Sequence, residues 1–241
     1  MQRYFVETMI DDELVIKDTN QYHHMAHVMR MKMGDHVVVC DRDGHCFYMK
    51  ITAIDKASVT LEKVRALPKL DKKFHLTLAQ SLIRKDHFEL VCQKATELGV
   101  DTIIPIVTER TIIKIDEKTE NKKLTRWQAI IQEASEQSQR SSVGEIKSVM
   151  SLEAIDFSRF DKVFVAYEKE NSISLKKALE KTSKDAKILI VIGPEGGFTE
   201  QEITFLDKVA QVVTLGPRIL RSETAALFSI AAISYDLEMS E

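Results

Sequence analysis

Residues 187–199 read KILIVIGPEGGFT, an apolar run followed by a loop that holds three glycines and one proline within five positions. The run is typical of a strand that is buried on both faces, and a helical pattern over residues 200–209 follows the loop. Thr199 and Glu202 have the spacing of a capping box, so this helix is predicted to begin beside the loop. The stretch therefore predicts a strand, a tight glycine loop and a helix, which is the repeating unit of an α/β fold.

The same alternation extends in both directions from this stretch. Other apolar strand candidates are FHLTLAQS, TIIPIV, KVFVAY and QVVTLG. The remaining helix candidates cover residues 85–98, 124–140, 174–181 and 223–237. Apolar strands separated by helices indicate a mostly parallel sheet that is covered on both faces. Ligands bind at the carboxyl ends of such strands, so the loops of interest follow Ala166, Ile192 and Leu215.

The first 72 residues have a different pattern of residue types. Strand candidates at 3–6 and 14–16 precede β-branched and aromatic runs within residues 36–64, with one helix candidate at 21–31. This pattern predicts a small β-barrel or sandwich. A proline and a lysine cluster then interrupt the pattern, so we predict two domains, 1–72 and 73–241.

The composition excludes several classes of protein. Of the 241 residues, 44% are hydrophobic and 29% are charged, with 34 Lys+Arg against 37 Asp+Glu, which argues against intrinsic disorder. No apolar run reaches about 18 residues, and the amino-terminal sequence lacks the pattern of a secretory signal. We therefore expect a cytoplasmic protein with no membrane partner. The formal charge of −3 argues only weakly against a nucleic-acid partner, because net charge does not report local patches.

The three cysteines do not predict a disulfide framework, because their number is odd and the expected compartment is reducing. Cys40 and Cys46 flank a hairpin turn, and we interpret them as small apolar fillers that face each other across two strands. There is no C-x-x-C pair, and His23 and His27 share a helix face without further ligands in the adjoining sequence. We expect no metal site.

A second loop reads LGPRILRSETA over residues 215–225. Arginines beside a glycine loop, at the ligand end of a sheet, bind phosphate or stabilise developing negative charge, so Arg218 and Arg221 are candidates for function. Arg218 fits a solvated surface charge equally well. Glu223 also has a structural explanation, because the helix dipole favours a carboxylate at a helix start. The loop at 193–197 matches neither G-x-G-x-x-G nor a Walker motif, and its plain alternative is a tight turn.

The two loop motifs, IGPEGGFTEQE and LGPRILRSETA, occur with three others earlier in the chain. These are HHMAHVMRMKMGD at 23–35, QKATELGV at 93–100 and EASEQSQR at 133–140. Together they resemble the ribosomal RNA small subunit methyltransferase E family, over nearly the whole chain and in the same order. The sequence departs from the family at 141–144, where the family usually has a proline, which leaves the shape of that loop open.

The resemblance implies an amino-terminal PUA-like β-barrel that binds RNA, and a carboxyl-terminal SPOUT domain whose parallel sheet ends in a trefoil knot. It implies a homodimer that uses S-adenosyl-L-methionine to methylate N3 of a uridine in 16S rRNA of the small ribosomal subunit. The implied cofactor loops are 166–168, 192–197 and 215–220. The cofactor-binding residues carried over in them are Ala166, Tyr167, Glu168, Ile192, Gly193, Gly196, Gly197, Leu215, Gly216, Ile219 and Leu220.

The resemblance and the position of the second loop together suggest the catalytic groups. Arg221 is expected to stabilise negative charge on the base. Thr224 and Glu223 are expected to orient the base, and Glu223 is also a candidate proton acceptor. The expected RNA-binding residues are Arg3, His24, Arg30 and Arg140. Two other functions stay open: ribose 2′-O-methylation on the same fold, and a non-catalytic role in RNA binding or ribosome assembly.

Overall fold

The computed structural model describes residues 1–68 and 72–239, and the chain divides into two compact units. The first unit contains Met1–Asp71 and Ser135–Val143, and the second contains Lys72–Ala134 and Gly144–Glu241. A single boundary at residue 72 does not describe this division, because residues 135–143 belong to the first unit. Residues 69–71, in the predicted boundary segment, lie outside the described residues.

The first unit is built on one five-stranded sheet. Its strands are β1 (Arg3–Phe5), β2 (Glu13–Ile16), β3 (His36–Cys40), β4 (Cys46–Ile54) and β5 (Val59–Ala66), in the order β1-β3-β4-β5-β2. β1 pairs in parallel with β3, and the other pairs are antiparallel. Alternate residues point into a core that contains Val37, Val39, Met49, Ile51 and Leu61. The predicted β-rich character of this part of the chain is confirmed.

A short helix, α1 (Thr19–His23), continues into a π-helical turn at His24–Val28. The carboxylate of Asp18 caps its start by accepting a hydrogen bond from the Gln21 N–H at 2.9 Å. Arg30, which follows the turn, has a φ of 51° in the left-handed region, where a helix cannot continue. The helix predicted over 21–31 is therefore present but lies slightly earlier in the chain.

The two cysteines at the β3–β4 turn are bonded to each other. Cys40 and Cys46 form a disulfide, and both are buried beside Val38. The prediction that they are only apolar fillers is wrong, because the hairpin register places them directly opposite each other. Cys92, in the second unit, is free and buried, and its burial raises the pKa of the thiol.

Arg3 holds the segment 135–143 in the first unit. Its side chain is buried, and its Nη1 donates hydrogen bonds to the carbonyl oxygens of Gln139 and Arg140 at 2.6 and 2.5 Å. Gln139 has a φ of 60°, so these carbonyl groups belong to a left-handed turn. A buried charge needs such acceptors, and the two carbonyl groups in turn gain a charged donor. The contact therefore fixes the turn.

The second unit contains a seven-stranded sheet. Its strands are β6 (His75–Ser81), β7 (Thr102–Val107), β8 (Glu145–Ile146), β9 (Met150–Ser151), β10 (Lys162–Ala166), β11 (Lys187–Ile192) and β12 (Gln211–Val213). They follow the order β12-β10-β11-β6-β7-β8, and β9 also pairs with β7. The pairings described between these strands are parallel, which confirms the predicted α/β class.

Helices alternate with these strands along the chain. They are α2 (Lys85–Glu97), α3 (Glu117–Gln137), α4 (Leu175–Leu179), α5 (Glu200–Leu206) and α6 (Ser222–Met239). The consecutive residues Leu78 and Ala79 of β6, which point to opposite faces, are fully buried, as are Ile188 and Leu189 of β11. Burial on both faces explains why these strands are apolar throughout. Within residues 1–68 and 72–239, no helix has the length and apolar character needed to cross a membrane.

The pairing of the central strands brings three loops to one edge of the sheet. Ala166, the last residue of β10, pairs with Ile192, the last residue of β11, and Ile192 also pairs with Gln80 of β6. On its other side, Ala166 pairs with Val213 of β12. Parallel strands have their carboxyl ends at the same edge, so the loops after β10, β11 and β12 meet there.

Replacing Arg3 by methionine tests whether its contact stabilises the first unit. Arg3→Met keeps an unbranched side chain that can replace the hydrocarbon part of arginine, but it removes the donor to the two carbonyl oxygens. We therefore expect the free energy of unfolding to fall by about 2 kcal/mol. Urea unfolding followed by circular dichroism measures this loss. Arg42→Met is the control, because the Arg42 side chain is 62% exposed. Equal stability of the two variants would contradict the structural role of Arg3.

Candidate active site

The three loops at the carboxyl edge of the sheet surround a cavity of about 700 Å³. Its wall includes all the residues that the family resemblance implies for cofactor binding: Ala166, Tyr167, Glu168, Ile192, Gly193, Gly196, Gly197, Leu215, Gly216, Ile219 and Leu220. These residues come from three distant parts of the chain, so the cavity depends on the order in which the strands pair. Its volume suits a ligand of cofactor size.

The glycines allow the backbone to form the cavity wall. A side chain at Gly193 would place its Cβ 3.0 Å from the ring of Phe198, so a larger residue there would displace that ring. Gly197 and Gly216 have φ values of 67° and 115°, which other residues adopt only with strain. A tight turn alone needs one glycine, whereas the loop after β11 depends on the missing side chain at two positions, Gly193 and Gly197.

Polar contacts anchor the glycine loop, residues 193–197, from two sides. Arg110 Nη1 donates a hydrogen bond to the carbonyl oxygen of Gly196 at 2.9 Å. The predicted capping box is confirmed: the Glu202 carboxylate accepts from the Thr199 N–H at 2.8 Å, and Thr199 Oγ1 accepts from the Glu202 N–H at 3.3 Å. The carboxylate of Glu202 also accepts from the N–H of Glu109 at 2.8 Å. These contacts preorganise the loop.

The first turn of α6 supplies charged groups to the cavity. Arg221 and Glu223 line it together with Arg218. The carbonyl oxygen of Arg221 accepts from the Ala225 N–H at 2.8 Å, so Arg221 stands at the helix start. Thr224 is exposed and is not part of the wall, and its role in orienting a substrate stays a prediction. Among the residues described, no group of three or more His, Cys, Asp or Glu side chains could hold a metal ion.

Two residues of the wall were missed because they follow a strand that lacks a glycine loop. Arg84 and His87 come after β6 and line the cavity, and His87 Nδ1 lies 3.7 Å from Glu223 Oε2. β6 pairs directly with β11, so the residues after it reach the same edge. Sequence patterns identify strands but do not order them, and no local signal marked these two residues as neighbours of Glu223.

The expected RNA-binding residues lie in the first unit. Arg3 is corrected: its guanidinium is buried and bound to two carbonyl oxygens, so it is not available to a phosphate. Nδ1 of His24 lies 3.0 Å from the hydroxyl of Tyr4, which is itself buried. Arg30 is exposed, and His24 and Arg140 are partly exposed. Three of the four residues therefore present surface to a partner.

Two family models match the chain. The RNA methyltransferase domain covers residues 70–234, and the RNA methyltransferase PUA domain covers residues 16–64. Ribosomal RNA small subunit methyltransferase E of Bacillus subtilis (strain 168) is 38% identical over 253 aligned positions, which span 99% of this chain and 98% of that protein. The chain belongs to the ribosomal RNA small subunit methyltransferase E family. The family member from Synechocystis is 32% identical over 95% of this chain and 75% of its own length.

Solved structures related to this methyltransferase E family member share its fold. The Neisseria gonorrhoeae enzyme, crystallised with S-adenosyl methionine, aligns with a TM-score of 0.85 at 27% identity, over 100% of both chains. A putative methyltransferase from Legionella pneumophila, in complex with the bound cofactor SAM, aligns with a TM-score of 0.84 at 26% identity, over 97% of both chains. The likeness confirms the α/β fold with a PUA-like amino-terminal domain.

Proposed function

We propose that this protein transfers a methyl group from S-adenosyl-L-methionine to N3 of a uridine in 16S rRNA of the small ribosomal subunit. The observation that carries the proposal is the cavity in which three loops meet Arg221 and Glu223. Membership of the family supports an rRNA substrate. The ligand present in the Neisseria and Legionella structures supports the cofactor. We expect the enzyme to work in the cytoplasm, with its ribosomal substrate.

The cavity fits this cofactor in its lining as well as in its size. Ile192, Leu215 and Leu220 offer apolar surface for the adenine ring, and the glycines of the loop after β11 allow close approach of the backbone. The carboxylate of Glu168 lies 3.1 Å from the point where a Cβ on residue 197 would stand, so negative charge borders the glycine loop. A carboxylate there suits a ligand that carries positive charge on its sulfur and amino groups.

The proposed mechanism gives Arg221 and Glu223, the two charged residues at the start of α6, different tasks. The N3–H of uracil is a weak acid, and N3 becomes the nucleophile once it has lost its proton. Arg221 stabilises the negative charge that spreads onto O2 and O4. Glu223 accepts the proton, and His87, 3.7 Å away, faces its carboxylate. When bound, the cofactor supplies an electrophilic methyl group. The reaction needs no covalent bond between protein and base, so the cavity requires no cysteine.

The first unit is proposed to contact the RNA. The match to an RNA methyltransferase PUA domain supports this role, and His24, Arg30 and Arg140 are the residues we assign to it. The resemblance to the family further implies that the first unit closes as a PUA-like barrel. It also implies that the chain of the second unit forms the trefoil knot of the SPOUT superfamily. We carry both features into the proposal.

We further propose that the protein is a homodimer whose subunits pair through α6. This helix buries Ala226, Ile230 and Ile233 in the second unit, yet Phe228 and Tyr235 on its other side are 44% and 73% exposed. Large exposed apolar side chains on one helix face mark an interaction surface. Because α6 begins beside the cavity, a second copy of the chain on this face would lie close to the active site.

Arg221→Ala tests the assignment of charge stabilisation. Removing one donor that is aimed at developing negative charge lowers kcat about 10²–10³-fold, and we expect a loss of that size with little change in cofactor affinity. The assay measures methylation of naked 16S rRNA and of assembled small subunits, followed by mapping of the methylated nucleoside. Arg159→Ala is the matched control, because Arg159 is exposed and outside the cavity wall.

The outcomes of this assay separate the alternatives. Methyl on N3 of uracil supports the proposal, whereas methyl on the ribose 2′-oxygen contradicts the base specificity. Intact cofactor binding without methylation of any RNA would favour a non-catalytic role in RNA binding or ribosome assembly. Near-normal kcat in Arg221→Ala would remove Arg221 from the mechanism.

The double variant Phe228→Glu/Tyr235→Glu tests the proposed dimer. Burying unpaired carboxylates in an apolar interface is strongly unfavourable, so we expect a monomer in sedimentation velocity, against a dimer for the wild type. Val209→Glu is the control, because Val209 is an exposed apolar residue outside α6. A monomeric wild type, or a double variant that still dimerises, would rule out this interface.

A further inference from the structure

A chain of hydrogen bonds links β6 to the glycine loop. Gln80, near the carboxyl end of β6, has no exposed surface, and its Nε2 donates to Ser222 Oγ at 2.9 Å. Ser222 Oγ in turn donates to the carbonyl oxygen of Gly193 at 2.6 Å. The same Nε2 also donates to the carbonyl oxygen of Ser81 at 3.0 Å, which fixes the orientation of the amide. The chain therefore joins the central strand, the start of α6 and the loop after β11.

Folding stability alone does not explain an amide at position 80. Gln80 Oε1 is buried and has no hydrogen-bond partner among the residues that the structure describes, and the same holds for Ser81 Oγ. A buried acceptor without a partner destabilises a fold, and an apolar side chain of similar size would avoid that cost. Beyond its own strand, the Gln80 amide donates to Ser222.

Two of the three residues joined by these hydrogen bonds belong to the cavity wall. Gly193 lines the cavity, and the ring of Phe198 packs where its side chain would be. Ser222 also lines the cavity, between Arg221 and Glu223. The Ser222 hydroxyl thus sets the spacing between the glycine loop and the two residues that act on the base. Because its oxygen accepts from Gln80, the hydroxyl is left to direct its own proton toward Gly193.

We propose that Gln80 and Ser222 are positioning residues that hold the glycine loop at a fixed spacing from Arg221. The inference rests on the proposed methyl transfer and deepens it, because it assigns the alignment of methyl donor and base to hydrogen bonds between β6, α6 and the glycine loop. A displacement of about 1 Å between reacting groups costs on the order of 100-fold in rate. Loss of these hydrogen bonds therefore lowers kcat more than it lowers the affinity for either substrate.

The test compares Gln80→Met and Ser222→Ala with two matched variants. Ser222→Thr keeps the hydroxyl, and Ser229→Ala removes another buried serine of α6, one that donates to the Ala225 carbonyl oxygen at 2.7 Å. In Gln80→Met and Ser222→Ala we expect kcat to fall about tenfold or more, while the calorimetric Kd for S-adenosylmethionine changes less than about threefold. Ser229→Ala keeps kcat near that of the wild type, and Ser222→Thr recovers most of the kcat that Ser222→Ala loses, because it restores the hydroxyl. The Tm of Gln80→Met stays equal to the wild-type value or rises.

The double variant Gln80→Met/Ser222→Ala gives a second criterion. Both residues act through one hydroxyl, so the double variant should lose no more kcat than the worse single variant. Multiplied losses, or an equal loss of kcat in Ser229→Ala, would overturn the proposal.

Amide hydrogen exchange over residues 193–197 tests the positioning role without measuring methyl transfer. It therefore separates a failure of this inference from a failure of the proposed function. Faster exchange in Ser222→Ala, and not in Ser229→Ala, supports the positioning role even if the wild type methylates no RNA. Unchanged exchange together with unchanged kcat would show that the hydrogen-bond chain does not position the loop.

Discussion

The parallel pairing of β10, β11 and β6 is the constraint on which the second unit depends. Its register places Ala166, Ile192 and Gln80 side by side, so loops from distant parts of the chain open at one edge of the sheet. Apolar side chains on both faces of β6 and β11 are buried, and this burial favours the pairing. The cavity is thus a consequence of strand order. Its glycines let the backbone form much of the wall, which brings peptide groups within reach of a ligand.

The charges of the proposed site follow from the same edge. Arg221 and Glu223 stand at the start of α6, and Arg84 and His87 arrive from the end of β6. Opposite charges in a small cavity can divide the chemistry, since one group stabilises negative charge while the other accepts a proton. Counted over the whole chain, the formal charge of −3 suits an RNA-modifying enzyme poorly. Net charge does not report local groups such as these, so it does not argue against the proposed site.

Features that depend on nearby residues could be predicted from the sequence, and features that depend on distant contacts could not. The apolar strands, the glycine loop and the capping box of α5 are local patterns, and all were identified. Strand order is not local, so the contribution of Arg84 and His87 was missed. Arg3 resembled an RNA-binding charge, but its two acceptors lie 136 and 137 positions away in the chain. The disulfide between Cys40 and Cys46 was not predicted, because a reducing compartment favours free thiols, although the hairpin register places the two cysteines opposite each other.

A crystal structure of the protein with S-adenosyl-L-methionine is the most direct test of whether the three loops form one binding site. We expect electron density in the cavity of about 700 Å³, in contact with residues of 166–168, 192–197 and 215–220 at the same time. We also expect the glycine loop to keep its present conformation, because Arg110 and the capping box already hold it. Density elsewhere on the protein, or contact with one loop alone, would show that the three loops do not form one binding site.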